Sequence, residues 1–261
     1  MKFEMINDDC LNVLKSLKDK SVNLCVTSPP YNMNLRVRNG KHCSRQLVKE
    51  ITTKYVGFSD NLPMDEYFEF NKKVITELLR VSDLTFYNVQ FLTGNKAALY
   101  RLIGEFAENI KEFIIWDKVT AQPAIGSNVL NSRFEVLLVF SDKDDAIIRQ
   151  FKKCNFERGE LDNLWQIKRS QTKCKEHGAT FPLELIERII STFSNEDDTV
   201  LDPFMGTGTT GFVCKRLNRN FIGVEFEKTY YEFAKKVAES GVDYYEYTPT
   251  SDALSYEDDW I

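Results

Sequence analysis

Hydrophobic positions along the chain switch between a period of two and a period near 3.6, and the switching lays out strands and helices in turn. Phe3 to Ile6 reads as a strand, after which Asp8 or Asp9 caps a short helix with Leu11, Leu14 and Leu17 at helical spacing. Val22 to Val26 is the next strand. Residues 64 to 80 (MDEYFEFNKKVITELLR) place Tyr67, Phe70, Val74 and Leu78 on one helical face, and the strand Leu84 to Val89 follows. Asn95 caps a helix to about Asn109, Phe113 to Trp116 is a strand, and Phe134 to Phe140 (FEVLLVF) is apolar enough for a strand buried on both faces. Pro182 opens a later helix, where its missing N–H leaves nothing unsatisfied, and Leu183, Ile186, Ile189 and Ile190 form the buried face. Near the C-terminus, Thr199 to Asp202 and Phe221 to Glu225 bracket a glycine turn and a helix from about Thr209 to Leu217. Alternation of this kind predicts an α/β fold with a doubly wound, mostly parallel sheet.

Three segments break the rhythm. Residues 33 to 62 carry no period and predict a long mobile loop, residues 141 to 176 lose the pattern, and residues 241 to 261 form an acidic tail that frays or drapes over a neighbour. One domain of residues 1 to 240 followed by that tail is the organisation predicted. A length of 261 residues with 43% hydrophobic content supports a sizeable core. The opening MKFEMINDD lacks the basic start and apolar run of a secretory signal, and no stretch is long and apolar enough for a membrane span, so a cytoplasmic protein without membrane contact is expected. Six scattered cysteines without a C-x-x-C pair predict reduced thiols and no metal.

The net charge of −5 argues against indiscriminate coating of nucleic acid, yet two basic stripes stand out. One holds Arg36, Arg38, Lys41, Arg45, Lys49 and Lys54; the other holds Lys152, Lys153, Arg158, Lys168, Arg169, Lys173 and Lys175. Solvated loops and phosphate contacts both account for them.

Chemistry concentrates in two motifs. In TVLDPFMGTGTTGF the spacing Gly206-x-Gly208-x-x-Gly211 between a strand and a helix matches a dinucleotide fingerprint, with Glu225 placed to grip ribose hydroxyls. A pyrophosphate on that helix N-terminus would meet the repelling carboxylate of Asp202. The acid, with the apolar wall of Pro203, Phe204 and Met205, suits a cationic ligand without phosphate such as S-adenosylmethionine. Glu225 would then take the ribose and Asp202 would face the amino-acid end, directly or through water. The second motif is VTSPPYN, a stiff turn at a strand's C-terminal end. An exocyclic amino group on a base is a poor nucleophile because its lone pair is delocalised into the ring. If the Ser28 hydroxyl and the Pro29 carbonyl accept its two hydrogens, the nitrogen becomes more tetrahedral and its lone pair can point at a methyl group. Pro30 brings no N–H to compete for that carbonyl. Tyr31 can stack on a base rotated out of the duplex.

These motifs resemble the β-class of amino-methylating DNA methyltransferases, in which [DNS]-P-P-[YF] is catalytic and D-P-F-x-G-x-G binds the methyl donor. Here they are Ser28-Pro29-Pro30-Tyr31 and Asp202-Pro203-Phe204-Met205-Gly206-Thr207-Gly208, in the β-class order, within a match from about residue 3 to residue 239. Protein glutamine methyltransferases share a similar N-P-P-Y turn but carry the donor motif first. The resemblance implies a seven-stranded, Rossmann-like fold with a small target-recognition insertion at residues 141 to 176; about thirty-five residues is short for that job, so the basic loop 33 to 54 is expected to share it. It implies S-adenosylmethionine as cofactor, S-adenosylhomocysteine as product and no metal. Asp9 would approach the donor's adenine, Asp8 being the weaker choice. His177, Thr180 and Phe181 would line the donor pocket with Thr27, Asp202, Pro203, Phe204, Gly206, Gly208, Thr209 and Glu225; a loop-capping role for His177 stays open.

Arg36, Arg38, Lys41, Arg45, Lys168, Arg169 and Lys173, with Trp165, would contact DNA. Family members with Ser at the first motif position mostly modify N4 of cytosine, those with Asp mostly N6 of adenine, so Ser28 points to cytosine and adenine is the alternative. A homodimer and a cognate restriction endonuclease are the implied partners besides double-stranded DNA. A catalytically silent nucleic-acid-binding module and a nicotinamide-dependent oxidoreductase are the readings from other classes.

Overall fold

A computed structural model of the chain describes residues 1–33, 61–122, 128–169 and 180–240, and the backbone of residues 36–38 and 41–43. Ten strands and seven α-helices follow in the order β1 (Phe3–Ile6), α1 (Cys10–Ser16), β2 (Val22–Thr27), β3 (Arg36–Arg38), β4 (Lys41–Cys43), α2 (Met64–Val81), β5 (Ser82–Val89), α3 (Lys96–Glu105), β6 (Ile110–Gln122), β7 (Ser132–Ser141), α4 (Lys143–Ala146), β8 (Leu164–Gln166), α5 (Leu183–Phe193), β9 (Thr199–Asp202), α6 (Thr209–Arg216), β10 (Asn220–Val224) and α7 (Lys228–Ser240) among the described residues. The main sheet runs β1-β10-β9-β2-β5-β7-β6-β8, while β3 and β4 form a separate antiparallel pair. Within the main sheet β7 runs against its neighbours β5 and β6, and the other pairings are parallel.

The expected doubly wound α/β architecture is present, with one correction: the main sheet has eight strands instead of seven. The additional strand, β8, lies in the segment where periodicity was lost. Three residues in which Trp165 is buried between exposed Leu164 and Gln166 are too short for alternation to register as a pattern.

Helices cover both faces. Along β7 the alternation is strict: Leu137 and Val139 face one apolar layer with α5, α6 and α7, whereas Val136, Leu138 and Phe140 face the other with α1, α2 and α3. This is why FEVLLVF reads as a continuous apolar run. Ile186, Ile189 and Ile190 of α5 are fully buried, and Pro182 sits at its cap position, accepting from the Leu185 and Ile186 N–H groups at 3.1 and 3.3 Å. Among the described residues no helix is long and apolar enough to cross a membrane. Cys10, Cys25, Cys154 and Cys214 are free thiols, and burial pushes that of Cys10 up to about 12.

Candidate active site

Strand order brings the two motifs together. Parallel strands β2 and β9 are neighbours, with Leu24 opposite Val200 and Cys25 opposite Leu201. From β2 the chain winds outward to β5, and from β9 it winds the other way to β10, so a crevice opens at the C-terminal ends of this pair. The proline turn leaves one strand there and the glycine turn leaves the other. A buried bond joins them: the Thr27 hydroxyl donates to Oδ1 of Asp202 at 2.8 Å. The Thr210 hydroxyl at the start of α6 donates to Oδ2 at 2.6 Å, and the Phe204 N–H donates to Oδ1 at 3.1 Å.

Asp202 is thus a clamp across β2, β9 and α6. It was expected to face the amino-acid end of a donor; with both oxygens engaged, what it offers a ligand is chiefly its charge. At 1% exposure, burial raises its pKa to about 6 despite these hydrogen bonds.

The glycine turn is built for close approach. Gly206 and Gly208 have φ of 53° and 87°, a region strained for a residue with a Cβ, and a Cβ on Gly208 would lie 3.0 Å from that of Ala234. Met205 N–H donates to the Val224 carbonyl at 2.9 Å, pinning the turn against the end of β10. There Glu225 accepts from the Gly206 N–H at 2.9 Å and the Glu227 N–H at 2.8 Å. It is half-buried, and desolvation raises its pKa to about 7.

Asn7 donates to the carbonyls of Glu225 and Phe226 at 2.8 and 3.0 Å, which sets the start of α1 beside this acid. Of the two candidate caps, Asp9 holds the position, accepting from the Leu11 N–H at 2.8 Å, while Asp8 binds the Asn12 amide at 3.1 Å. Pro203 and Thr209 are buried in the turn, and Phe204 lies with its ring centroid 6.1 Å from that of Phe70. Thr180 and Phe181 are half-buried just ahead of α5. His177 lies outside the described residues. Among the described residues, neither Asp202 nor Glu225 has a cation in ion-pair contact.

The proline turn is held through its carbonyls. Tyr67 Oη of α2 donates to the Pro30 carbonyl at 2.9 Å, and Asn95 Nδ2 donates to that of Tyr31 at 2.7 Å. No described donor reaches the carbonyl of Pro29. Asn32 closes the turn at φ 51°, a conformation asparagine tolerates, and ties it to Leu62 and Gly94. Asn95 had been expected to cap α3. It occupies the cap position without a side-chain cap bond, its oxygen accepting from the Leu92 N–H at 2.8 Å while its amide holds Tyr31.

Behind the turn lies a buried polar chain that sequence reasoning missed. Ser28 Oγ is 3.0 Å from Tyr31 Oη, which donates to Glu135 Oε2 at 2.8 Å. Asn88 Nδ2 donates to Tyr31 Oη at 2.6 Å and to Glu135 Oε2 at 2.5 Å, and Lys118 Nζ lies 2.6 Å from Glu135 Oε1. Tyr31, 8% exposed, is therefore a buried ring anchored at its hydroxyl. The one local sign of it is Glu135, an acid inside the apolar run FEVLLVF, which by itself names no partner. A bulge interrupts β6 after Asp117, and Val119 has φ 66°, a strained value for a β-branched residue. Next to it, Arg133 grips Asp117 through two bonds of 2.7 Å and holds its carboxyl well below the usual carboxylate range.

The expected DNA contacts fare unevenly. Lys168 and Arg169 are exposed beyond β8, and Arg36, Arg38 and Lys41 fall on the β3 and β4 hairpin. Arg45 and Lys173 lie outside the described residues. Trp165 is not available to bases: it is 2% exposed in the core, with its indole N–H donating to the Asp162 carbonyl at 2.8 Å. Lys152 and Lys153 are engaged by Asp145 at 3.2 Å and Asp198 at 2.8 Å. No group of three or more potential metal-ligating side chains occurs among the described residues.

Comparison with known proteins bears on this arrangement. The family described as DNA methylase matches residues 22–236. Type II methyltransferase M.HpaI of Haemophilus parainfluenzae is 28% identical over 259 residues, covering 92% of this chain and 75% of its own. Type II methyltransferase M.HinfI of Haemophilus influenzae is 29% identical over 253 residues, covering 89% of this chain and 67% of its own. Among solved structures, PvuII DNA methyltransferase (cytosine-N4-specific) superposes with a TM-score of 0.69 at 21% identity, covering 90% of this chain and 86% of its own. A complex of M1.HpyAVI with S-adenosylmethionine gives 0.57 at 23% identity, covering 90% of this chain and 99% of its own.

Proposed function

We propose, since this chain belongs to the DNA methylase family, that it transfers a methyl group from S-adenosylmethionine to the exocyclic N4 amino group of cytosine in DNA. The observation that carries the reading is the 2.8 Å bond from Thr27 to Asp202, which sets the proline turn and the glycine turn on one crevice. The residues present suit the donor. S-adenosylmethionine, when bound, supplies an electrophilic methyl on a cationic sulfur. Asp202 and Glu225 bring carboxylates to its turn with no described cation to neutralise them, and Glu225 stands where ribose hydroxyls would bond.

On the other side of the crevice the Pro29 carbonyl and Ser28 Oγ accept the two amino hydrogens, which localises the nitrogen lone pair. Tyr31 forms the wall against which the flipped base stacks. After transfer the amine is cationic and gives up one proton, so no base is needed to ionise it beforehand. Asp9, Thr180, Phe181 and His177 are assigned to the donor pocket, and Arg36, Arg38, Lys41, Arg45, Lys168, Arg169 and Lys173 to DNA phosphates and bases. Ser28 at the first motif position supports cytosine, and the fold shared with a cytosine-N4-specific enzyme is consistent with it. The Type II designation of the relatives supports a restriction endonuclease as functional partner.

The test is to treat DNA with the protein and S-adenosylmethionine, digest it to nucleosides and weigh them. N4-methyldeoxycytidine that disappears with Ser28→Ala is expected. A comparable yield of methyladenosine would overturn the base assignment, and no methylated nucleoside at all would overturn the activity.

A further inference from the structure

The hydrogen bonds behind Ser28 have a fixed direction. A carboxylate only accepts and a Lys ammonium only donates. Glu135 Oε1 is taken by Lys118 at 2.6 Å, and Oε2 receives Tyr31 Oη at 2.8 Å and Asn88 Nδ2 at 2.5 Å. The tyrosine's one hydrogen therefore goes to Glu135, and its oxygen must accept from Asn88 at 2.6 Å and from Ser28 at 3.0 Å. The other acceptor near Ser28 Oγ, the Asn88 backbone carbonyl, lies at 3.5 Å, too long for a strong O–H···O bond, so it is the bond to Tyr31 that turns the serine hydrogen inward. What Ser28 presents to the crevice is lone pairs.

That polarity matters for an amino group. A serine hydroxyl without an internal acceptor rotates and can donate as readily as accept. On cytosine the ring nitrogen beside the amino group is an acceptor and would attract a donating hydroxyl, drawing Ser28 away from the nitrogen that reacts. We propose that Glu135 is a positioning residue: acting through Tyr31, it fixes Ser28 as an acceptor toward the target amino group. Lys118 and Asn88 hold Glu135 in that orientation. The bulge and the strained Val119 occur where β6 turns Lys118 inward, which is consistent with a tertiary demand on that side chain. The inference rests on the methyltransferase reading above.

Glu135→Gln tests it. A glutamine has one oxygen and one NH2 where the carboxylate had two acceptors. The Lys118 cation takes the oxygen, so the NH2 faces Tyr31, reverses its hydroxyl and makes Ser28 a donor. We expect kcat to fall about 10²-fold, with KM for DNA and affinity for S-adenosylhomocysteine within about threefold of the parent. Tyr31→Phe removes the link but keeps the ring. Alone it lowers kcat about tenfold, and combined with Glu135→Gln it restores about tenfold over the single Gln variant. A merely structural Glu135 would give no such suppression. A double variant less active than Glu135→Gln would overturn the proposal, as would a Glu135→Gln enzyme with unchanged kcat. If Glu135→Gln fails to fold, Tyr31→Phe decides alone, unchanged kcat being the overturning result. A parent protein that methylates no base would instead sink the underlying function.

Discussion

The two sides of the crevice treat their carboxylates in opposite ways. On the glycine side, Asp202 and Glu225 are satisfied by hydroxyls and backbone N–H groups, have no described cation in contact, and are raised in pKa to about 6 and 7 by burial. On the proline side, Glu135 is paired with Lys118 and Asp117 with Arg133, whose bonds hold Asp117 below its ordinary range. The difference matches the ligands each side is proposed to take. A cationic donor completes the first side, whereas an uncharged base fits a second side that already balances its own charge.

The largest effect expected from breaking this contrast comes from Lys118→Met, which strands Glu135 as an unpaired buried charge. Such losses cost about 3–5 kcal/mol, and denaturant unfolding should show an unfolding free energy lower by that amount. Next is Asp202→Asn. Its amide oxygen can keep accepting from Thr27 and the Phe204 N–H while its NH2 donates to the Thr210 hydroxyl oxygen, so the fold should hold while S-adenosylmethionine binds more weakly by roughly 2 kcal/mol. Calorimetric titration showing equal affinity would mean that the buried charge is not directed at the donor.

Acidity sharpens the comparison further. A raised carboxylate pKa contributes stability that is full below the ordinary value and lost as pH rises through the folded one. Asp202 therefore contributes below about pH 4 and loses its contribution through about 6, and Glu225 follows through about 7. Without ligand, these two groups together should raise stability at pH 5 relative to pH 8 on the order of 4 kcal/mol. Donor affinity should run the opposite way, weakening toward pH 5 as the carboxylates protonate. Asp117, whose pKa is lowered, behaves in the reverse sense, its contribution being present above its ordinary pKa and lost as pH falls through the folded value. Thermal melts of parent and Asp202→Asn across this range would separate the two sides. The smallest effect belongs to Arg133→Gln. With Arg133 half exposed and its pair screened by solvent, the melting temperature should stay close to that of the parent.

Much of the fold was legible because helices and strands of ordinary length imprint their period on the sequence. Leu14, Val74 and Leu78 are buried as their spacing predicts. Strand β8 was not legible, since three residues carry too few alternations. Trp165 misled for a related reason: an aromatic among basic residues suggests nucleic-acid contact, but its indole is packed in the core beneath the Arg188 guanidinium, 5.6 Å from its ring centroid. In the site, the prolines and glycines were readable from their restricted or permissive backbones. Asn88, Asn95, Lys118 and Glu135 were not, because nothing local to a single Asn or Glu tells where its partner lies.

By itself, the sequence determined the stiff turn after β2, the left-handed glycines after β9 and the apolar faces that build two layers around a parallel sheet. These follow from dihedral freedom and side-chain period, which act within a few residues. Only the tertiary structure decided that Thr27 meets Asp202 across 175 positions and that Tyr31 meets Glu135 across 104. Hydrogen-bond direction depends on which donor and acceptor the packed strands bring within about 3 Å, and that proximity has no local signature in the chain.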